Sequence, residues 1–190
     1  FEFGQQRQFE GTVWERPYPV LSVGASRYLL VGSGKRGGAP LVAGLDGRRV
    51  RVQGTLIERD GDHMIQVDSV APASVDEGRT AAAEWRVEGT TVLDGEIVDS
   101  KCHLGVMKPG DGPTHRDCAV RCLLGGVPPM LVVADGSRAR RIALASVEGR
   151  PLDWDLEPWA ARPVQVRGPV YVRGTERFLG VEAAGISLRP

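Results

Sequence analysis

The side chains that could do chemistry are concentrated between Gly95 and Pro129, a stretch that holds all three cysteines and two of the three histidines. Thiolates and imidazoles are the ligands of zinc sites and iron–sulfur clusters, which commonly take four of them. The four ligands that we predict for such a site are Cys102, His115, Cys118 and Cys122, with His103 and Met107 as two further candidates. The cofactor would be zinc or an iron–sulfur cluster.

One short helix is predicted to position most of these ligands. The preceding residues KPGDGP form a loop, because Pro and Gly interrupt both helices and strands. Thr114 then occupies a typical N-cap position, and Asp117 three residues later resembles a capping box. Gly125 and Gly126 are typical of a helix end. We therefore predict a helix over residues 114–124 that is capped by Thr114 and ended by Gly125.

The predicted helix places three ligands on one face. His115, Cys118 and Cys122 stand at positions i, i+3 and i+7, which a period of 3.6 residues brings to the same side. Cys102 comes from the end of the preceding strand, and a short loop can carry it back to that face. We expect all four side chains to converge.

Two other interpretations of the cysteines remain open. In an oxidising compartment Cys102 could form a disulfide with Cys118 or Cys122, which would staple the helix to the domain and stabilise it by about 3 kcal/mol. A disulfide between the two helical cysteines is less favourable, because their Cβ vectors run nearly parallel. Alternatively, Cys118 beside His115 near a helix N-terminus could be a nucleophile, as in a thiol-based or metal-dependent redox enzyme.

The composition indicates an all-β protein without a large net charge. Its 25 glycines and 13 prolines, and the lack of long helical periodicity, favour short strands joined by turns. The 24 basic and 24 acidic residues cancel, so we do not expect nucleic acid as a partner. No apolar run in the sequence reaches the length of a transmembrane helix. The segment GSGKRGGAP at 32–40 lacks the residue order of a phosphate-binding loop, and we interpret it as a mobile hairpin loop.

The second half of the chain repeats the first. The segment VRVQGTLIER at 50–59 has a counterpart in VQVRGPVYVR at 164–173, without a gap and at an offset of 114. Both contain a V-x-V-x-G pattern, and both are followed by a turn and a second apolar strand. We therefore predict that the hairpins 50–67 and 164–181 occupy equivalent places in two similar domains.

Two further pairings extend the repeat and reveal an insertion. The segment FEGTV at 9–13 is echoed by LDGEI at 93–97, and the strand at 28–31 is echoed by MLVV at 130–133. With these pairings the second unit has gained about seventeen residues between its first two strands. The inserted residues carry the predicted cysteine helix, and a plain barrel does not need them.

These observations predict the fold class and its boundaries. Two units of a few strands, each ending in a V-x-V-x-G hairpin, indicate an all-β protein with two OB-like small Greek-key barrels in tandem. The glycine of the pattern fits a bend where a barrel strand turns its corner. We predict the first barrel at 1–75, a linker at 76–88 and the second barrel at 89–190, with the short Cys/His helix inserted within 99–129.

The second half also resembles a known group of proteins. The run GEIVDSKC at 95–102, then DCAVRCLLGG at 117–126, MLVV at 130–133 and PVQVRG at 163–168 is similar to small exported bacterial proteins of unknown function. In these a G-x-V-x-D-x-x-C strand precedes a C-x-x-x-C helix and an OB-like ending. The resemblance covers roughly residues 93–186. It implies export and a barrel-like fold, and it supplies no activity.

The function that we predict from the sequence is that of an exported, non-catalytic module with a Cys/His site. It would be periplasmic or otherwise extracytoplasmic, anchored through a missing N-terminal segment, and would serve as an accessory or electron-transfer subunit of a membrane-associated envelope complex. One alternative is a thiol-based or metal-dependent redox enzyme. Another is an OB-type binder of oligonucleotides or glycans, an analogy of fold alone.

Overall fold

The computed structural model describes residues 4–73, 78–135 and 138–189, and these residues form eleven strands and little helix. The strands are β1 (Arg7–Trp14), β2 (Val20–Val23), β3 (Ser26–Val31), β4 (Arg49–Arg59), β5 (Asp62–Pro72), β6 (Arg86–Asp99), β7 (Pro129–Asp135), β8 (Arg138–Ser146), β9 (Pro163–Arg173), β10 (Glu176–Val181) and β11 (Ile186–Leu188). The α-helices are α1 (Ala39–Val42) and α2 (Arg116–Leu124). An irregular helical turn spans Cys102–Val106, and 3₁₀ turns span Pro113–His115 and Ala183–Gly185.

The first barrel is a closed sheet of five strands in the order β1-β2-β3-β5-β4, with β4 returning to β1. All neighbours are antiparallel except β3 and β5, which run parallel. Alternate residues of β4 point inward, so that Val50 and Val52 are buried against Val13 and Ile65. This alternation is what a strand with one face in a core requires.

The second barrel repeats this topology. Its strands follow the order β6-β7-β8-β10-β9, β9 pairs back to β6, and β8 runs parallel to β10. The short strand β11 pairs antiparallel with residues 164–166 at the start of β9. The prediction of two OB-like barrels in tandem is therefore confirmed, and the hairpins β4–β5 and β9–β10 occupy equivalent places.

The glycine of each V-x-V-x-G pattern lies where two backbones approach closely. A Cβ on Gly54 would stand 2.3 Å from the carbonyl oxygen of Gln66, and one on Gly168 would stand 1.8 Å from that of Gly180. The register of β4 and β5 also shifts at Gly54, which marks a bulge. The expected bend at this glycine is explained by the lack of room for a side chain.

The strand registers correct one pairing and the size of the insertion. Residues 130–133 lie in the second strand of their barrel, because Leu131 pairs with Ile97 as Leu21 pairs with Val13. The counterpart of the strand at 28–31 is therefore β8. The offset between the barrels is 84 in the first strand and 110 in the second, so the insertion contains 110 − 84 = 26 residues rather than about seventeen. The strands β7 and β8 both contain short apolar runs in the sequence. Because the length of the insertion was not known, the sequence alone did not show which of them corresponds to the strand at 28–31.

The two barrels pack on each other through a shared apolar cluster. Val31, Ile57 and Met64 of the first barrel contact buried residues of the second, including Leu104 and Val127. The insertion between β6 and β7 lies at this contact, so the cysteines are positioned between the barrels. Among the residues that the structure describes, no helix is long and apolar enough to span a bilayer.

The connection between the barrels runs along the first one. Arg79 forms an isolated bridge with Arg48, and the Thr80 N–H donates to the carbonyl of Gly47. Strand β5 ends at Pro72 and β6 begins at Arg86, so part of the segment 76–88 that the sequence assigns to a linker belongs to a strand. Residues 74–77, which include the start of that segment, lie outside the described residues.

Candidate metal centre

Asp99 organises the entry to the insertion. It is the last residue of β6 and is completely buried. Its Oδ1 accepts a hydrogen bond from the Cys102 N–H at 2.9 Å, and its Oδ2 lies 2.9 Å from Nε2 of His115. His115 directly precedes α2 and is itself only 3% exposed. One carboxylate therefore connects the turn that carries Cys102 to the helix that carries the other two cysteines.

The predicted helix is present, but its N-terminus differs from the prediction. Residues Pro113–His115 form a 3₁₀ turn and α2 follows at Arg116–Leu124. No side-chain hydrogen bond caps α2, and the residue at the N-cap position is His115, so the capping role assigned to Thr114 and the capping box are wrong. The C-terminus of α2 agrees with the prediction that Gly125 ends the helix, because the Gly125 N–H donates a hydrogen bond to the carbonyl of Arg121. The Asp99–His115 contact holds the start of the helix in place of a cap.

The three cysteine side chains converge. Their sulfurs all lie within 4.8 Å of one another, and the Sγ atoms of Cys102 and Cys118 are 3.9 Å apart. All three are free thiols; Cys102 and Cys122 are buried and Cys118 is partly exposed. The expectation that Cys102 meets the helical cysteines is confirmed. Three thiol groups at this spacing could hold a metal ion.

His115 belongs to an adjoining group. It lies with Asp99 and Cys102 in a second set whose ligand atoms are within 4.8 Å of one another. Cys102 is common to both sets, whereas His115 is not part of the three-cysteine set. The four predicted ligands are therefore brought together as two overlapping groups, and one nitrogen of His115 is already engaged by Asp99.

The two further candidates lie outside these groups. His103 is buried, but its Nε2 accepts a hydrogen bond from Nε of Arg141 at 3.0 Å, and its Nδ1 is 3.2 Å from a carboxylate oxygen of Asp111. Burial, assisted by the positive charges of Arg59 and Arg141, lowers the pKa of His103. Met107 is 46% exposed and lines a surface cavity beside His103. Both side chains contribute to the surroundings of the insertion rather than to the cysteine cluster.

Lys35 is a site residue that sequence reasoning missed. Its Nζ lies 2.6 Å from Sγ of Cys118 and 3.9 Å from Sγ of Cys122. The hydrogen bond with Cys118 and the nearby thiolate charges raise the pKa of Lys35, so it carries its positive charge beside the sulfurs. Lys35 comes from the loop at 32–38 of the first barrel, which the sequence predicts to be a mobile hairpin loop. In the structure that loop lies on the cysteine cluster.

The side chain of Lys101 binds the backbone of this loop. Its side chain is buried, and its Nζ donates to the carbonyl oxygens of Gly32 and Gly34, each at 2.7 Å. Burial lowers the pKa of Lys101, although nearby cysteines and Asp99 oppose the shift. A signal for both residues exists in the sequence: the chain has only three lysines among its 24 basic residues, and two of them are at this site.

The pKa values of two of the thiols shift in opposite directions. The pKa of Cys122 is lowered, chiefly because it accepts a hydrogen bond from Cys102 and also because Lys35 is close. The pKa of Cys102 is raised because it is the donor in that bond and because it is buried near Asp99. Of these two thiols, Cys122 therefore ionises more readily than Cys102, and a thiolate is the species that binds soft metals.

Comparison of the chain with protein-family models, with curated proteins and with solved structures finds no match. Function must therefore be inferred from the geometry of the site.

Proposed function

We propose that this protein binds one soft metal ion through Cys102, Cys118 and Cys122, and that zinc is the ion that fits best. The observation that supports this is the spacing of the sulfurs. Zinc–sulfur bonds of about 2.3 Å in tetrahedral geometry hold two thiolate sulfurs about 3.8 Å apart. The Cys102 and Cys118 sulfurs are 3.9 Å apart.

The same spacing favours a single ion over an iron–sulfur cubane. In a [4Fe–4S] cluster each thiolate binds a different iron, which keeps the thiolates farther apart than ligands of one ion. All three sulfurs here lie within 4.8 Å of one another. Copper(I) also accepts thiolate ligands and is the main competitor of zinc on these grounds.

The surrounding charges support a metal–thiolate centre. Three thiolates and a divalent ion together carry one negative charge. Lys35 lies beside Cys118, and Lys101 is buried under the loop that bears Lys35, so cations are available to offset that charge. Asp99 and His115 adjoin Cys102 and are the nearest protein groups for a fourth coordination position.

The role that we propose for the metal is non-catalytic. The ligands belong to the insertion of the second barrel and the Lys35 loop belongs to the first, so a bound ion would stabilise the contact between them. The resemblance to exported proteins supports an extracytoplasmic location and assembly with other subunits of a membrane-associated complex. Copper or iron at the site would favour electron transfer, because zinc has no redox chemistry.

The test is metal binding by the full chain in its reduced state. After treatment with a chelator, the protein should take up one equivalent of zinc, and cobalt(II) should give a thiolate-to-metal charge-transfer band. Cys102→Ser, Cys118→Ser and Cys122→Ser should each weaken binding by at least about tenfold. Met107→Leu is the matched control, since it removes a sulfur outside the cluster and should leave binding unchanged.

Counting thiols in the unfolded protein separates this proposal from a structural disulfide. A metal site predicts three free thiols, whereas a disulfide leaves one. A chain that takes up no metal when fully reduced and folded would contradict the proposal.

A thiol-based redox enzyme is the second candidate, and one observation favours it. Cys118 is the partly exposed member of the cluster and has an ammonium group 2.6 Å from its sulfur. Reactive cysteines occupy partly exposed, positively charged surroundings of this kind. Rapid exchange of Cys118 with a small disulfide in the metal-free protein, lost in Cys118→Ser, would support this role.

A further inference from the structure

The contact between Lys35 and Cys118 is closer than hydrogen bonding requires. Charge-assisted N–H···O bonds have heavy-atom distances of about 2.7–2.9 Å, and sulfur is a larger atom than oxygen. The Lys35 Nζ and Cys118 Sγ atoms are nevertheless 2.6 Å apart. Two single bonds to one shared oxygen atom would span a gap of this size.

The backbone on both sides of Lys35 is held against the insertion. Lys101 binds the carbonyls of Gly32 and Gly34 before it, and the Gly37 N–H donates to the carbonyl of Gly125 at 2.9 Å after it. The fit at Lys35 itself is tight, because a Cβ on Gly125 would lie 1.7 Å from the Lys35 carbonyl oxygen. The amine is therefore presented to Cys118 by a loop that is fastened at both ends.

The pair is also open to small oxidants. Lys35 is exposed and Cys118 is partly exposed, whereas Cys102 and Cys122 are buried. Cys118 is thus the sulfur of the cluster that a peroxide in solution reaches first. The reaction partners beside it are the amine of Lys35 at 2.6 Å, the sulfur of Cys102 at 3.9 Å and the sulfur of Cys122 within 4.8 Å.

We propose that Lys35 and Cys118 of the metal-free protein form a nitrogen–oxygen–sulfur bridge when exposed to hydrogen peroxide. A first peroxide oxidises the Cys118 thiol to a sulfenic acid: an S–O bond forms, the O–O bond breaks and one water leaves. The Lys35 ammonium first releases one proton to solvent. A second peroxide then supplies the further two-electron oxidation that joins this oxygen to the neutral Nζ, with loss of one N–H and the O–H and release of two waters. The net change inserts one oxygen atom and removes two hydrogens.

The bridge is a covalent link between the two barrels, and it shares Cys118 with the metal site proposed above. It requires no metal, and a metal ion on Cys118 would protect that sulfur from oxidation. Failure of one proposal therefore leaves the other intact: metal binding is measured on the reduced protein, and bridging is measured on the metal-free protein during oxidation.

The test is the intact mass of the full chain after chelator treatment and exposure to hydrogen peroxide. The bridge adds about 14 Da, a sulfenic acid adds about 16 Da, and a disulfide removes about 2 Da. Trypsin places the three cysteines on separate peptides, so the bridge should link peptide 28–36 to peptide 117–121. Dithiothreitol should release the two peptides.

The matched variants are Lys35→Arg and Lys108→Arg. Lys35→Arg keeps the positive charge but lacks the primary amine, so the bridged species should disappear, whereas Lys108→Arg should form it as the wild type does. A Cys102–Cys118 disulfide as the main product, oxygen adducts on Cys118 with an unmodified Lys35, or an unchanged 14 Da species in Lys35→Arg would each overturn the proposal.

Discussion

At the scale of single residues, the choice of lysine at position 35 is informative. The chain uses arginine for nearly all of its positive charge, yet lysine stands at the cysteine cluster. A lysine ammonium is a compact point charge on a flexible stem, whereas the planar guanidinium of arginine is broader and is suited to forked contacts with carboxylates. The short approach to Cys118 requires the compact group.

Lys35→Ala should weaken zinc binding by about tenfold, because it removes a cation beside a centre that carries net negative charge. Competition with a chromophoric chelator measures the change. Lys108→Ala removes an equal charge from a residue that lines the surface cavity beside His103, and it should leave the affinity unchanged. Equal affinities for Lys35→Ala and the wild type would show that Lys35 does not contribute to the metal centre.

Asp99→Ala should lower the free energy of unfolding by about 3 kcal/mol, because two buried hydrogen bonds are lost and His115 is left without its partner. Denaturation by urea in the metal-free, reduced state measures this. Asp94→Ala is the control on the same strand: Asp94 is exposed and pairs with Arg189, so its loss should cost less than about 0.5 kcal/mol. Similar losses for the two variants would contradict the anchoring role of Asp99.

At the scale of elements, contact with the first barrel constrains the end of α2, and no side chain caps its start. Gly125 has an ordinary φ of −77°, so its conformation does not demand glycine. The demand comes from the Lys35 loop, whose backbone passes too close for a Cβ. Gly125, which the sequence predicts to end the helix, is therefore also the residue at which the Lys35 loop packs against α2.

Gly125→Ala should destabilise the protein by about 3 kcal/mol and move Lys35 away from Cys118, because the added Cβ would overlap the Lys35 carbonyl. Thermal unfolding and zinc affinity should both change. Thr114→Ala is the comparison at the other end of α2, and it should have no measurable effect because Thr114 makes no capping bond. A tolerated alanine at 125 would show that the loop and helix can separate at little cost.

At the scale of the whole molecule, side-chain contacts between the barrels make them interdependent. Apolar residues of both barrels form one buried cluster around the cysteines. On a different part of the contact, the hydroxyl of Tyr18 donates to the carbonyl of Leu144 at 2.8 Å and accepts from the Leu152 N–H at 3.4 Å. We expect the two barrels to unfold in one transition.

Stability should fall at high pH through Tyr18. Burial raises the pKa of Tyr18, so the folded protein keeps the phenol protonated after the unfolded chain has begun to lose that proton near pH 10. This contribution is fully present below about pH 10 and is lost as the pH rises toward the folded-state pKa. The free energy of unfolding, measured by urea denaturation, should therefore decline more steeply above about pH 10 in the wild type than in Tyr18→Phe. Equal pH dependence of the unfolding free energy in the wild type and in Tyr18→Phe would show that the Tyr18 hydroxyl is exposed to water in the folded protein.

Several features could be determined from the sequence because they depend on neighbouring residues. Alternating valines in VRVQG and VQVRG predict strands with one buried face, and their common spacing predicts the same barrel twice. The loop KPGDGP and the pair Gly125-Gly126 delimit α2 closely, because Pro and Gly act on the local backbone. The convergence of Cys102 with the helical cysteines follows from the i, i+4 spacing of Cys118 and Cys122 and the nearby strand end.

Other features were decided only by the tertiary structure. Lys35 and Cys118 are 83 residues apart, and nothing local to either predicts that a loop of one barrel rests on the helix of the other. The Lys35 loop also explains why position 125 requires glycine, because its backbone leaves no room there for a Cβ. Likewise, the Asp99–His115 bond depends on how two ends of an insertion meet, so the sequence assigned the cap to Thr114 instead. These contacts join residues distant in sequence, and their geometry is specified only when both barrels have folded and packed.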